Sequence, residues 1–231
     1  MSNFLYLLSE DDNDDFFYKA CLEKIHDCEY EIIPTRLRRG GGIGEVRKAL
    51  PLFLNTINNM GFVESTFFLI AVDNDRRPLH PIHARDDFDR LPPKEQRDSC
   101  RYCEIEGRIQ EKLGLAREQW PICGAIAVPV EMLESWLLLI CNPNKYKLEA
   151  ELPIFSEKTK EQAKTYYGTP KNVPPQLKEL VDAERKDLGH SKREFYEHCA
   201  HRLVPESLAT VSPSFSHFLD QVQSWHSTGC H

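Results

Sequence analysis

The stretch FFLIAVDNDRRP sets two aspartates, Asp73 and Asp75, at the end of an apolar run from Phe67 to Val72. An extended chain sends alternate side chains to opposite faces. Asp73 and Asp75 then point one way and Asn74 the other, offering a divalent cation two neighbouring oxygen donors. Hard carboxylate oxygens suit magnesium or manganese, ions that orient phosphates, stabilise a leaving oxygen and activate water. Arg76 and Arg77 follow at once and could steady a phosphate beside such an ion. An apolar strand seldom ends this way for solubility alone, so the pair reads as functional.

Further carboxylates stand at the ends of other expected elements: Glu10 with Asp11 and Asp12, and later Glu131 with Glu134. The acidic run Asp11 to Asp15 also suits the first turn of a helix, where aspartates cap orphan N–H groups. Glu131 and Glu134 share a helical face at i, i+3, a spacing that a solvated first turn explains equally well. A local basic patch surrounds a glycine-rich turn in RLRRGGGIGEVRK, where Arg36, Arg38, Arg39, Arg47 and Lys48 could meet nucleic acid. HPIH, with His80 and His83, is followed by CRYC, with Cys100 and Cys103. Two ligand pairs separated by a loop match a tetrahedral structural zinc site, although the His pair precedes the Cys pair, the reverse of the familiar finger. Buried thiols and loop histidines are the competing account. His198, Cys199 and His201 fall on different faces of an expected helix and are assigned no site. Trp120, Trp136 and Trp225 read as core or interface aromatics.

The elements that must position these residues alternate. Residues 4–8 read as a buried strand, followed by a helix with apolar positions Phe16, Phe17, Ala20, Cys21 and Ile25. A second strand over 31–37 leads through the glycines into a helix near 45–59, which Pro51 should kink or restart. The run before Asp73 is the third strand. Residues 78–103, rich in Pro, His, Arg and Asp, lack a period and read as an elaborated loop, with a helix over 104–113 beyond it. A fourth strand over 122–128 ends at Pro129, and 131–141 is a strongly apolar helix. Helices are expected near 176–186, 191–202 and 214–225. Such alternation implies an α/β sheet, and ligands of such sheets bind beyond the carboxyl ends of the strands, where Glu10 and the aspartates could meet.

At 231 residues the chain can bury a real core and is most simply one main domain with insertions. With 41% hydrophobic and 28% charged residues it has an ordinary globular composition, and no apolar run is long enough to span a bilayer. The N-terminus lacks the basic region and cleavage site of a signal peptide, so a cytoplasmic chain is expected. Its eight cysteines are then read as thiols or metal ligands rather than a disulfide framework. A net charge of −7 excludes broad electrostatic attraction to nucleic acid and leaves such binding to local patches.

FLYLLSE, FFLIAVDNDRR, IAVPVEMLESWLLL and SPSFSHFLDQV together resemble a Toprim-like family found among prokaryotic defence genes. The likeness covers most of the chain: a Toprim-like core over 1–141, with 78–120 as an insertion, and a mainly helical extension over 142–231. Toprim domains are shared by topoisomerases, primases and overcoming-lysogeny-defect nucleases. There a glutamate after the first strand and a DxD after the third bind metal and act on phosphodiesters. The resemblance therefore implies a magnesium- or manganese-dependent nuclease acting on DNA or RNA. Glu10, Asp73 and Asp75 would be metal ligands, and Glu134 of PVEMLESW an auxiliary carboxylate. A glycine commonly follows the first glutamate in related nucleases; Asp11 stands there in this chain. The resemblance also implies an antiviral role with an ATPase partner, and a homo-oligomer is compatible with it.

Three rivals share some of these residues. A non-catalytic Toprim-derived subunit would keep the carboxylates for structure and bind a partner, which the acidic net charge favours over free DNA. A response-regulator receiver would make Asp73 a phosphoacceptor, but the spacing from the first acids is long and no lysine–proline motif ends a later strand. A glycosyltransferase could use DxD with manganese, with GGGIG as faint support for nucleotide binding.

Overall fold

A computed structural model describes residues 3–34, 42–60, 65–74, 100–129, 133–146 and 173–227, with residues 92, 94 and 95 between them. Four strands form one all-parallel sheet: β1 (Asn3–Leu8), β2 (Tyr30–Ile33), β3 (Thr66–Ala71) and β4 (Cys123–Ala127), in the order β2-β1-β3-β4. Each is a short apolar run bounded by polar or turn residues. β3 is buried along its whole length, as a central parallel strand covered on both faces must be.

Helices cover both faces. On one, α1 (Asp12–His26) turns Phe17, Tyr18, Cys21 and Leu22 inward at helical spacing against Leu5, Leu7, Phe67 and Leu69. On the other, α2 (Ile43–Met60) and α3 (Arg101–Leu113) pack Val46, Leu50, Phe53, Ile57, Ile105 and Ile109 against Phe68, Ile70 and Ile126. The alternation of β3 divides its side chains between the two clusters, Phe67 and Leu69 to the first, Phe68 and Ile70 to the second. Gly124 stands opposite Phe68 on β4. A Cβ there would sit 2.1 Å from the Phe68 ring, so glycine is what lets that ring lie across the neighbouring strand.

After β4 the chain forms α4 (Glu134–Cys141), the short α5 (Pro143–Tyr146), α6 (Val173–Asp187), α7 (Lys192–Arg202), α8 (Pro205–Val211) and α9 (Pro213–Ser227). These helices join the first cluster: Trp136 of α4 meets Phe215 and Phe218 of α9 and Tyr18 of α1, and Phe17 meets Tyr196 of α7. Trp136 and Trp225 are fully buried, as expected of core aromatics. Gln221 of α9 closes the outer edge of β4, its carbonyl accepting from Ile126 N–H and its amide donating to Ile126 C=O, both at 3.0 Å. That side chain supplies the partner a further strand would have given.

The elements fall close to where the pattern placed them, with some differences. β2 ends at Ile33, and the expected continuation over 35–37 lies outside the described residues. α2 runs through Pro51 without restarting, because Pro51 lies on the exposed face, where water can take the carbonyl its missing N–H would have bonded. α3 begins at Arg101 rather than near 104. α5 and α8 were not expected; four and seven residues hold too few turns for a period to show. No described helix is long and apolar enough to cross a membrane.

Candidate functional site

In the strand order β2-β1-β3-β4, α1 leaves β1 toward one face and the connection from β3 to β4 runs through α3 on the other. Neighbouring chains diverge there, and a crevice opens beyond the carboxyl ends of β1 and β3. Glu10 follows β1 and Asp73 follows β3, so topology brings them together across the sequence. The Asp73 N–H donates to Glu10 Oε1 at 3.0 Å. Asp73 Oδ1 in turn accepts from the Leu133 N–H at 2.9 Å, which ties the entrance of α4 to the same point. Glu134 is the first residue of that helix.

The floor of the crevice is completed by α1. Asp11 is its N-cap, accepting from Asn13 and Asp14 N–H groups, while the Asp14 carboxylate returns a bond to the Asp11 N–H. This capping box accounts for the acidic run in structural terms. Yet Asp14 also lines the cleft with Glu10, Asp11, Asp73 and Glu134, so a capping residue serves the site as well. Gly42, at the entrance of α2, forms one wall: its N–H donates to the Glu10 carbonyl at 3.2 Å, and its φ of 87° is one that residues with a Cβ rarely adopt.

Opposite the carboxylates stand cations from the C-terminal helices. Lys192, first residue of α7, pairs with Asp11 at 2.9 Å, and Lys178 and Arg185 of α6 line the same cleft of about 390 Å³. The Asp11–Lys192 pair is about half exposed and contributes at most about 1 kcal/mol to stability. Its position at the cleft is therefore not explained by holding the fold together.

The electrostatics follow from crowding. Burial, then the charges of Glu10, Glu134 and Asp14, push the Asp73 carboxyl well above its ordinary range. Burial, with Asp11 and Glu134, raises Asp14 to about 8, and burial also raises Glu134. Burial works the same way on Asp11, but Lys192 and the two capping N–H groups outweigh it and hold that carboxyl below the usual range. Burial opposes the charge on Lys192, whereas Asp11, Asp14 and Glu134 raise its pKa above the ordinary value. Carboxylates that resist ionising together are a site short of positive charge.

A divalent cation fits that deficit, and Glu10, Asp14, Asp73 and Glu134 are hard oxygen donors suited to magnesium or manganese. Among the described residues no group of three or more His, Cys, Asp or Glu side chains is gathered closely enough to hold a metal ion as it stands. Asp75, the second aspartate of DxD, lies outside the described residues, as do Arg76, Arg77, Arg38, Arg39 and Glu131. His80 and His83 lie outside them too. Cys100 is fully buried at the start of α3 and Cys103 is half-buried beside the same apolar cluster.

The structure thus unites Glu10, Asp73 and Glu134, and adds Asp14, Lys192 and Gly42, which sequence reasoning did not single out. The Glu10-to-Asp14 spacing puts both at one end of β1 and α1, a signal masked by the capping role. Lys192 carries no local signal. No family model, no curated protein and no solved structure matches the chain.

Proposed function

We propose that the cleft hydrolyses phosphodiester bonds in nucleic acid with a bound magnesium or manganese ion, as the resemblance to Toprim-like nucleases implies. One observation carries this reading: Glu10, Asp14, Asp73 and Glu134 converge at the switch point of a parallel sheet, facing Lys192. The four-stranded parallel sheet flanked by helices is compatible with a Toprim-like fold. Asp73 and Glu10, joined by Asp75, would hold the ion, which when bound polarises the phosphate and lowers the pKa of a water.

The chain's own groups supply the rest. In the hydrolysis, water adds to phosphorus, the ester P–O bond breaks and a proton reaches the leaving oxygen. Asp14, which lines the same cleft, would add an oxygen donor to the ion, and the proton that the water gives up would reach the leaving oxygen through solvent. Lys192 stays charged and can neutralise a phosphate oxygen. Arg76 and Arg77 would steady the phosphate, with Arg38 and Arg39 meeting the strand beyond it. His80, His83, Cys100 and Cys103 would hold a structural zinc, and an ATPase partner would regulate the effector.

Labelled DNA and RNA, each incubated with the purified protein and Mg²⁺ or Mn²⁺, test the reading. Cleavage that disappears in EDTA and in Asp73→Ala is expected. Intact substrates under every condition, with no change caused by Asp73→Ala in the complex with its partner, would overturn it in favour of a non-catalytic subunit.

A further inference from the structure

Behind the cleft, a second set of charges, of which Glu104 and Arg101 are buried, lies on the face of the sheet that α2 and α3 cover. Glu104 of α3 is 5% exposed, and Arg47 of α2 forks onto it, Nε to Oε1 and Nη2 to Oε2, both at 2.7 Å. Arg101 Nη1 donates to Glu104 Oε2 at 2.5 Å, and Arg108 approaches Oε1 at 3.3 Å. Burial alone would raise this carboxyl; the guanidiniums hold it at about 2, so it is ionised at any ordinary pH. Arg101 is itself 4% exposed, and its Nε donates to the main-chain carbonyl of Asp73 at 3.3 Å.

A buried ion cluster is a poor device for stability alone, since apolar residues of similar size often serve as well. What this one adds is geometric. The N–H of Asp73 is taken by Glu10 and one carboxylate oxygen by Leu133, both from within the cleft. Its carbonyl is taken from behind the sheet, by a guanidinium that Glu104 orients, and Arg47 ties that carboxylate to α2. Each polar group of the backbone at Asp73 is thereby fixed by a different element.

We propose that Arg101, oriented by Glu104, is a positioning residue for Asp73: it fixes the turn after β3 so that the carboxylate is presented to a cation. The inference rests on reading Asp73 as a cation ligand. Groups that orient ligands from outside the coordination sphere typically change metal affinity by about 10- to 100-fold when removed.

Calorimetric titration with Mn²⁺ tests it, at a temperature where circular dichroism shows every variant folded. Wild type should bind Mn²⁺ and Asp73→Ala should not. Arg101→Gln should bind about 10- to 100-fold more weakly. Arg108→Gln, which disturbs the same carboxylate without touching Asp73, should bind as wild type does. If Arg101→Gln does not fold, Arg101→Lys, which keeps a charge beside Glu104 but has no Nε–H, should show weaker binding at unchanged Tm. An Arg101 variant with wild-type Mn²⁺ affinity, whatever its Tm, would overturn the inference, leaving the cation site intact. Wild type that binds no Mn²⁺ would overturn the cation site and this inference with it.

Discussion

At the scale of single residues, the central feature is a set of carboxylates that cannot all ionise without a partner. The folded chain holds the Asp14 proton to about pH 8, whereas an unfolded chain releases it near the ordinary value of 3.8. Between these limits the folded state binds more protons. This contribution to stability is fully present below the lower value and is lost as pH rises through about 8. Glu104 and Asp11 shift the other way, but their windows lie below the ordinary carboxylate range and are complete by neutrality. The burial-lowered imidazole of His198 adds stability as pH rises through its unfolded value of 6.5, so the measurement belongs above it. In EDTA, Tm should fall between pH 7 and 9, and the fall should be smaller in Asp14→Asn, which keeps an acceptor for the Asp11 N–H. An identical slope in the two proteins would remove Asp14 from the titrating set. Asp73 was legible in the sequence because an apolar strand ran directly into it. Asp14 was not, since a capping aspartate and a site aspartate look alike until the fold shows what lies above the cap.

At the scale of elements, the site depends on how chains leave the strands. Strand order sends α1 and α3 to opposite faces, and the crevice between β1 and β3 is a consequence of that divergence. Gly42 closes it on the α2 side, with φ of 87° and its N–H on the Glu10 carbonyl. An alanine Cβ would have room there, 3.9 Å from Glu10 Oε2, so the cost of Gly42→Ala is one of backbone conformation, about 1–2 kcal/mol. Denaturant unfolding should show that loss. An unchanged midpoint would mean the turn relaxes without strain. The strands were readable because each is a short apolar run between turn residues. Their order was not, because nothing local to β1 says that both β2 and β3 will flank it. The helix does not restart at Pro51 for a related reason: the exposed face on which a proline can be tolerated is decided by the sheet beneath.

At the scale of the whole molecule, helices distant in sequence complete what the sheet begins. Lys192 belongs to α7, yet Phe17 and Tyr196 pack α1 against that helix and so set the lysine beside Asp11. Of the helices beyond α5, α8 was not legible as an element, whereas α6, α7 and α9 were. Their place against α1 and β4 was not, because it is written in pairings such as Trp136 with Phe215 and Phe218, which only the assembled core reveals. The net charge of −7 gains a local meaning from this assembly: a concentration of the negative charge lies in one cleft, faced by cations from the C-terminal helices. Such a cleft should draw a divalent cation before it admits a phosphate. Crystals soaked in Mn²⁺ and measured at a wavelength where manganese scatters anomalously test this most directly. An anomalous peak among Glu10, Asp14, Asp73 and Glu134 is the predicted result. Bound manganese only elsewhere, or a cleft with no peak at saturating Mn²⁺, would contradict it.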